Sequence, residues 1–153
     1  MRDYFTDAER VQKLRAAARR WLGTPFIPHA RICQAGVDCV NLCAELYRAT
    51  GFLGPVCLPG YSMDGGKHNP ESQLEKWLED SARFRLLAKD ADLLPGDLIT
   101  FKIGRSAHHA GMILDGPHFI HCLFGRTVTL GTLVDGTFRR ILHHGFRPLE
   151  AAR

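Results

Sequence analysis

The stretch Gly36-Val37-Asp38-Cys39-Val40-Asn41-Leu42-Cys43-Ala44-Glu45-Leu46-Tyr47-Arg48-Ala49-Thr50-Gly51 decides the fold. Val40, Cys43, Leu46 and Tyr47 recur at three- and four-residue intervals, which is the spacing of one buried helical face, and Gly51 supplies the stop. Asp38 is a good N-cap, because its carboxylate can accept from the unpaired amides of the first turn. Cys39 then falls in that turn, where free N–H groups and the positive end of the helix dipole favour a thiolate. Most free cysteines are small buried hydrophobes. The capped helix start beside Gly36, with histidines far downstream, marks Cys39 as a candidate nucleophile that should alkylate faster than Cys33 or Cys122.

Toward the N-terminus, Thr6-Asp7-Ala8-Glu9 has the capping-box pattern. Val11, Leu14, Ala18, Trp21 and Leu22 then mark an amphipathic helix that Gly23 and Pro25 end. From Gly23 to Val37, Pro25 and Pro28 among mixed residues predict an ordered loop leading into the Cys39 helix. Beyond Gly51 a Gly- and Pro-rich passage, 52–70, reads as a loop. Asn69-Pro70 is an N-cap and first-turn pair for a short third helix carrying Leu74, Trp77 and Leu78.

From Leu98 onward the texture changes to short β-like runs: Leu98–Phe101, His109–Leu114, His118–Phe124, Thr127–Leu133 and Arg139–Phe146, divided by Gly-rich breaks. Helices first and an antiparallel meander second predict an α+β chain, read as a single domain over 1–153 with N-terminal helices packed on a five- to six-stranded sheet.

The second and third of these strands carry the remaining chemistry. With Asp115-Gly116-Pro117 as the loop, Leu114 lies opposite His118 and Gly111 opposite His121. His109 shares a face with Gly111, so His121 sits diagonally from His109 over a residue that leaves room. Cys39 as thiolate, His109 as its base and His121 as the group fixing the tautomer of His109 form a nucleophile, base and orienter set. Backbone N–H groups at the start of the Cys39 helix would hold the oxyanion. His108 points to the opposite face, and His29, His68, His118, His143 and His144 read as surface residues.

Apolar residues make up 45% and charged residues 24%, which excludes a disordered or collagen-like chain. A net charge of +4 with dispersed Lys and Arg and no recognition motif argues against a nucleic-acid partner. The odd set Cys33, Cys39, Cys43, Cys57 and Cys122 argues for free thiols, and its spacings fit none of the common structural zinc patterns. The N-terminus lacks a long apolar run and no stretch reaches membrane-spanning length. The chain therefore reads as cytoplasmic when synthesised, without a signal peptide.

The order Trp21-Leu22-Gly23-Thr24-Pro25-Phe26, Gly36-Val37-Asp38-Cys39, Leu94-Pro95-Gly96-Asp97-Leu98-Ile99-Thr100-Phe101, His109-Ala110-Gly111-Met112 and Phe119-Ile120-His121 resembles the NlpC-type cell-wall peptidases. Phe146-Arg147-Pro148 also resembles the close of the small branch encoded with phage tail genes. The resemblance implies a papain-like fold, with Cys39 matching the nucleophile, His109 the base and His121 the third polar residue. It implies hydrolysis of an amide involving a D-amino acid in peptidoglycan stem peptides, with no metal or cofactor, by an enzyme associated with phage tail proteins or a virion. Phe26 stands where relatives commonly carry Tyr, and Val40-Asn41 replaces the usual Ser-Gly, which would crowd the cleft floor. The apolar Phe26 and Val40 motivate a second reading, a papain-like acyltransferase or amidase on lipid or small-molecule amides. A third reading is a structural tail component that keeps the fold.

Overall fold

The computed structural model describes residues 2–52, 73–104, 106–134 and 136–151, with backbone alone at 73 and 106–108. The expected 52–70 loop and the Asn69-Pro70 cap lie largely outside the described residues.

Helix α1 (Ala8–Trp21) starts one residue later than its capping-box pattern suggests. Asp7, not Thr6, is the cap, and its carboxylate accepts from Arg10 N–H. The following segment is more ordered than a loop. It contains a short antiparallel pair, β1 (Arg31–Ile32) and β2 (Gly36–Val37). Thr24 accepts a backbone hydrogen bond from Val128, whose carbonyl in turn accepts from Gly23, while Phe26 bridges Val37. These bonds strap the chain to the main sheet and deliver Val37-Asp38 to the next helix in one orientation.

That helix, α2 (Cys39–Thr50), is capped as expected. Asp38 accepts from Asn41 N–H at 2.8 Å, and Gly51 closes the far end at φ 86°, a conformation that costs glycine little. Every residue from Cys39 to Tyr47 is buried, so the helix is enclosed on more than one face. Full burial of side chains such as Leu42 and Leu46 contributes roughly 1.5–3 kcal/mol each. The third helix, α3 (Gln73–Asp80), buries Leu74 and Leu78.

One antiparallel sheet of six strands follows, in the order β3-β8-β4-β5-β6-β7. Its members are β3 (Phe84–Leu86), β4 (Leu98–Ile103), β5 (Ser106–Asp115), β6 (His118–Cys122), β7 (Val128–Thr132) and β8 (Leu142–Pro148). Two expectations need correction. Arg139–Ile141 is not strand but belongs to a short helix, α4 (Thr137–Ile141), held because Phe138 packs on Phe101 and Phe119. Leu114 does not face His118, because a bulge near Leu114 brings Asp115 opposite His118 and shortens the turn. Toward Gly111 the register is as expected, with Gly111 opposite His121.

Side-chain alternation sorts the sheet into two cores. Leu98, Ala110, Met112, Ile120, Cys122 and Phe146 pack with α1 and α2. Ile99, Phe101, Ile113, Phe119 and Leu133 form a second cluster under Phe138 and Ile141. Among the described residues no helix is long and apolar enough to cross a membrane.

Candidate active site

The histidine pair is assembled by strand register. His109 Nε2 lies 2.9 Å from His121 Nδ1, and both residues are buried. Gly111 makes this possible. A Cβ there would lie 3.0 Å from the Phe119 ring, 3.2 Å from the Ile120 carbonyl and 3.5 Å from the His121 Cβ. Phe138 meets the His121 ring edge-on at 4.8 Å, Phe119 lies 4.9 Å from it, and Phe101 packs 5.4 Å from His109. With its Nε2 engaged, His109 has Nδ1 as the nitrogen that can exchange a proton with a thiol.

This packing sets the charge state of the pair. Burial pushes the pKa of His121 down to about 4, so it is neutral at physiological pH. A neutral His121 can accept through Nδ1 when His109 carries two ring protons, provided its own proton sits on Nε2.

Cys39 abuts the same two strands. Its sulfur lies within hydrogen-bonding reach of the N–H groups of Ala110 and Val40, and Cys122 is an electrostatic neighbour. Ala110 follows His109 in β5, so the sulfur meets that strand one residue along from His109. The expected standing thiolate is not what the site favours. Cys39 is only 2% exposed, and burial, reinforced by Asp38 and Cys122, pushes its thiol up to about 12 against the pull of the two amides. Desolvation outweighs the helix start here, and the resting form is a neutral thiol.

Around Cys39 the two departures make specific contacts. Asn41 Nδ2–H donates to Asp38 at 3.1 Å, and the Asp38 carboxylate also accepts from the amides of Asn41 and His29. Phe26 packs edge-on against the exposed Phe124 at 5.4 Å, beside the Val37 bridge that leads into Cys39. Cys33 is exposed, while Cys43 and Cys122 are buried free thiols.

Sequence reasoning missed His143 and His144, which are half-buried and not surface residues. They meet Glu75 through a register shift between β4 and β8 that leaves no local trace in the chain.

Comparison with known proteins agrees with this architecture. A family model described as the NlpC/P60 family matches residues 23–147. A lipoprotein-like protein of the NLP/P60 family from Staphylococcus aureus aligns with a TM-score of 0.65 at 22% identity, covering 97% of this chain and 44% of its own. The NlpC/p60 domain of the peptidoglycan hydrolase SagA gives 0.55 at 18%, covering 88% and 96%. An N-acetylmuramoyl-L-alanine amidase from Bacteroides uniformis gives 0.53 at 11%, covering 94% and 100%. At such identities the likeness is one of fold, and this chain spans less than half the length of the staphylococcal protein. No curated protein matches the chain by sequence. The family match spans most of the chain, from just beyond α1 to the penultimate residue of β8, and on that basis the protein belongs to the NlpC/P60 family.

Proposed function

We propose that the protein is a cysteine hydrolase that cuts amide bonds in the stem peptides of bacterial peptidoglycan. The observation that carries the reading is the 2.9 Å bond between His109 and His121, with His109 one residue along β5 from where the Cys39 sulfur meets that strand. Family membership and fold-level likeness to a domain of a peptidoglycan hydrolase and to a muramoyl-alanine amidase support this substrate class.

Chemically, the Cys39 sulfur attacks the amide carbonyl while its proton passes to His109 Nδ1. His121 accepts from Nε2 and holds the imidazolium in place. His109 returns the proton to the leaving amine, a thioester remains on Cys39, and water drawn by the neutral His109 hydrolyses it. The amides of Ala110 and Val40 stabilise charge near the sulfur without reorganisation. Because the thiol is buried and neutral, deprotonation is coupled to substrate binding and does not precede it. Action from a phage-tail particle belongs to the same proposal, motivated by the closing Phe146-Arg147-Pro148. Incubation with purified peptidoglycan tests the function. New free amino groups and shortened stem peptides are expected, while turnover confined to acyl amides would transfer the site to the acyltransferase or amidase reading.

A further inference from the structure

A second constellation lies where α3 meets β4 and β8, and it owes its existence to one inserted residue. Thr100 on β4 pairs with His144 and Phe101 pairs with Leu142, which leaves His143 as an extra residue on β8. Alternation would send neighbouring histidines to opposite faces. The bulge instead brings their rings to 4.0 Å, tilted by 40°. Both present Nδ1 to one carboxylate: His143 reaches Glu75 Oε1 at 2.7 Å and His144 contacts Oε2. Glu75 is buried, and the Thr100 hydroxyl donates to its Oε2 at 3.1 Å.

We propose that Glu75, His143 and His144 form a binding site for a divalent first-row transition ion of the zinc type. The three donor atoms, one carboxylate oxygen and two imidazole nitrogens, lie within 4.8 Å of one another. Two imidazoles and a carboxylate are a donor set that zinc and its neighbours take with three protein ligands, leaving a further position for water. The Thr100 hydroxyl orients the carboxylate, the kind of outer support that metal-binding side chains use. His143 and His144 also line a groove of about 870 Å³ with Leu93, Arg139 and Leu142, which gives an ion a route to the half-buried rings. A bound ion would clamp α3 onto β8. The site stands independently of the Cys39 chemistry, because it uses none of the residues assigned to it.

The test uses the full chain stripped with a chelator, then titrated calorimetrically with Zn²⁺ and spectroscopically with Co²⁺. One ion per chain is expected, with tetrahedral Co²⁺ bands and no thiolate charge-transfer absorption, and a melting temperature that Zn²⁺ raises. Glu75→Gln, His143→Ala and His144→Ala should each weaken binding by at least ~10- to 100-fold, the loss known for supporting residues alone. Thr100→Val keeps all three ligands and should weaken it by less. His143→Ala, at the more exposed ring, guards against a fold defect, which circular dichroism checks. Absence of stoichiometric uptake, uptake unchanged in all three ligand variants, or thiolate absorption placing the ion on cysteines would each overturn the assignment.

Discussion

Arg147 grips Asp97 with two parallel bonds, Nε to Oδ1 at 3.0 Å and Nη2 to Oδ2 at 2.8 Å, and so joins the last strand to the turn before β4. Asp97 is almost wholly buried, and burial holds its carboxyl above the usual carboxylate range even though Arg147 and the Leu94 amide pull the other way. The hydrogen bond to Asp97 raises the Arg147 guanidinium above its ordinary range. Taken alone, the Arg147 shift would make the pair stabilising and the Asp97 shift would make it costly. The acid is the more deeply buried partner and bears the desolvation cost, so the pair fixes geometry more than it adds net stability.

Removing one partner should therefore hurt more than removing both. Arg147→Ala is expected to lose about 3–5 kcal/mol by leaving a buried charge unpaired. The double variant Arg147→Leu with Asp97→Asn should lose less. Urea unfolding followed by circular dichroism measures both, and equal losses would contradict a buried-charge cost.

Stability should depend on pH through His121. Its folded pKa of about 4 lies below the ordinary histidine value, so the unfolded chain binds the proton more tightly. Stability from this group is complete above about pH 6.5 and is lost as pH falls toward 4, a total of about 3 kcal/mol. His121→Phe should flatten that part of the profile. A wild-type profile indistinguishable from that of the variant would show that His121 is not desolvated.

Alkylation distinguishes a neutral thiol from a standing ion pair. With iodoacetamide at pH 8, exposed Cys33 should react first, and Cys39, with its thiol near 12, at least about 100-fold more slowly, since each unit of raised pKa removes about tenfold of the thiolate. Peptide mapping by mass spectrometry reads the order. Preferential labelling of Cys39 would indicate a resting thiolate and imidazolium.

The orienting bond makes a graded prediction about activity. His121→Ala should lower kcat by about 10²–10⁴-fold, whereas His121→Asn should retain more, because an amide oxygen can accept from His109 Nε2. Equal kcat in the three proteins would remove His121 from the reaction.

The parts of the site that sequence predicts well are those set by short-range signals. Asp38 before an apolar helix, Gly51 after it, and the two-residue alternation around Gly111 suffice to start a helix at Cys39 and to bring His109 and His121 within hydrogen-bonding distance. What escapes is decided by packing between distant segments. Helix α4 exists because Phe138 covers Phe101, Phe119 and His121, and its sequence, Thr137 to Ile141, carries no strong helical period. The Cys39 thiol stays protonated because burial, reinforced by Asp38 and Cys122, outweighs the pull of the Ala110 and Val40 amides, which a helix-start argument cannot register. Glu75 and the two histidines converge only through a bulge on a strand more than sixty residues away in the chain.

Trapping the covalent intermediate tests most directly whether Cys39 is the nucleophile with His109 as its base. Wild-type protein is mixed with a purified stem peptide, quenched in acid within the first turnover and mapped by mass spectrometry. An acyl adduct on Cys39 that is absent in His109→Ala, with turnover reduced ~10⁴-fold or more in Cys39→Ala, is the predicted result. Undiminished peptide cleavage by Cys39→Ala, with no adduct on the wild type, would contradict it.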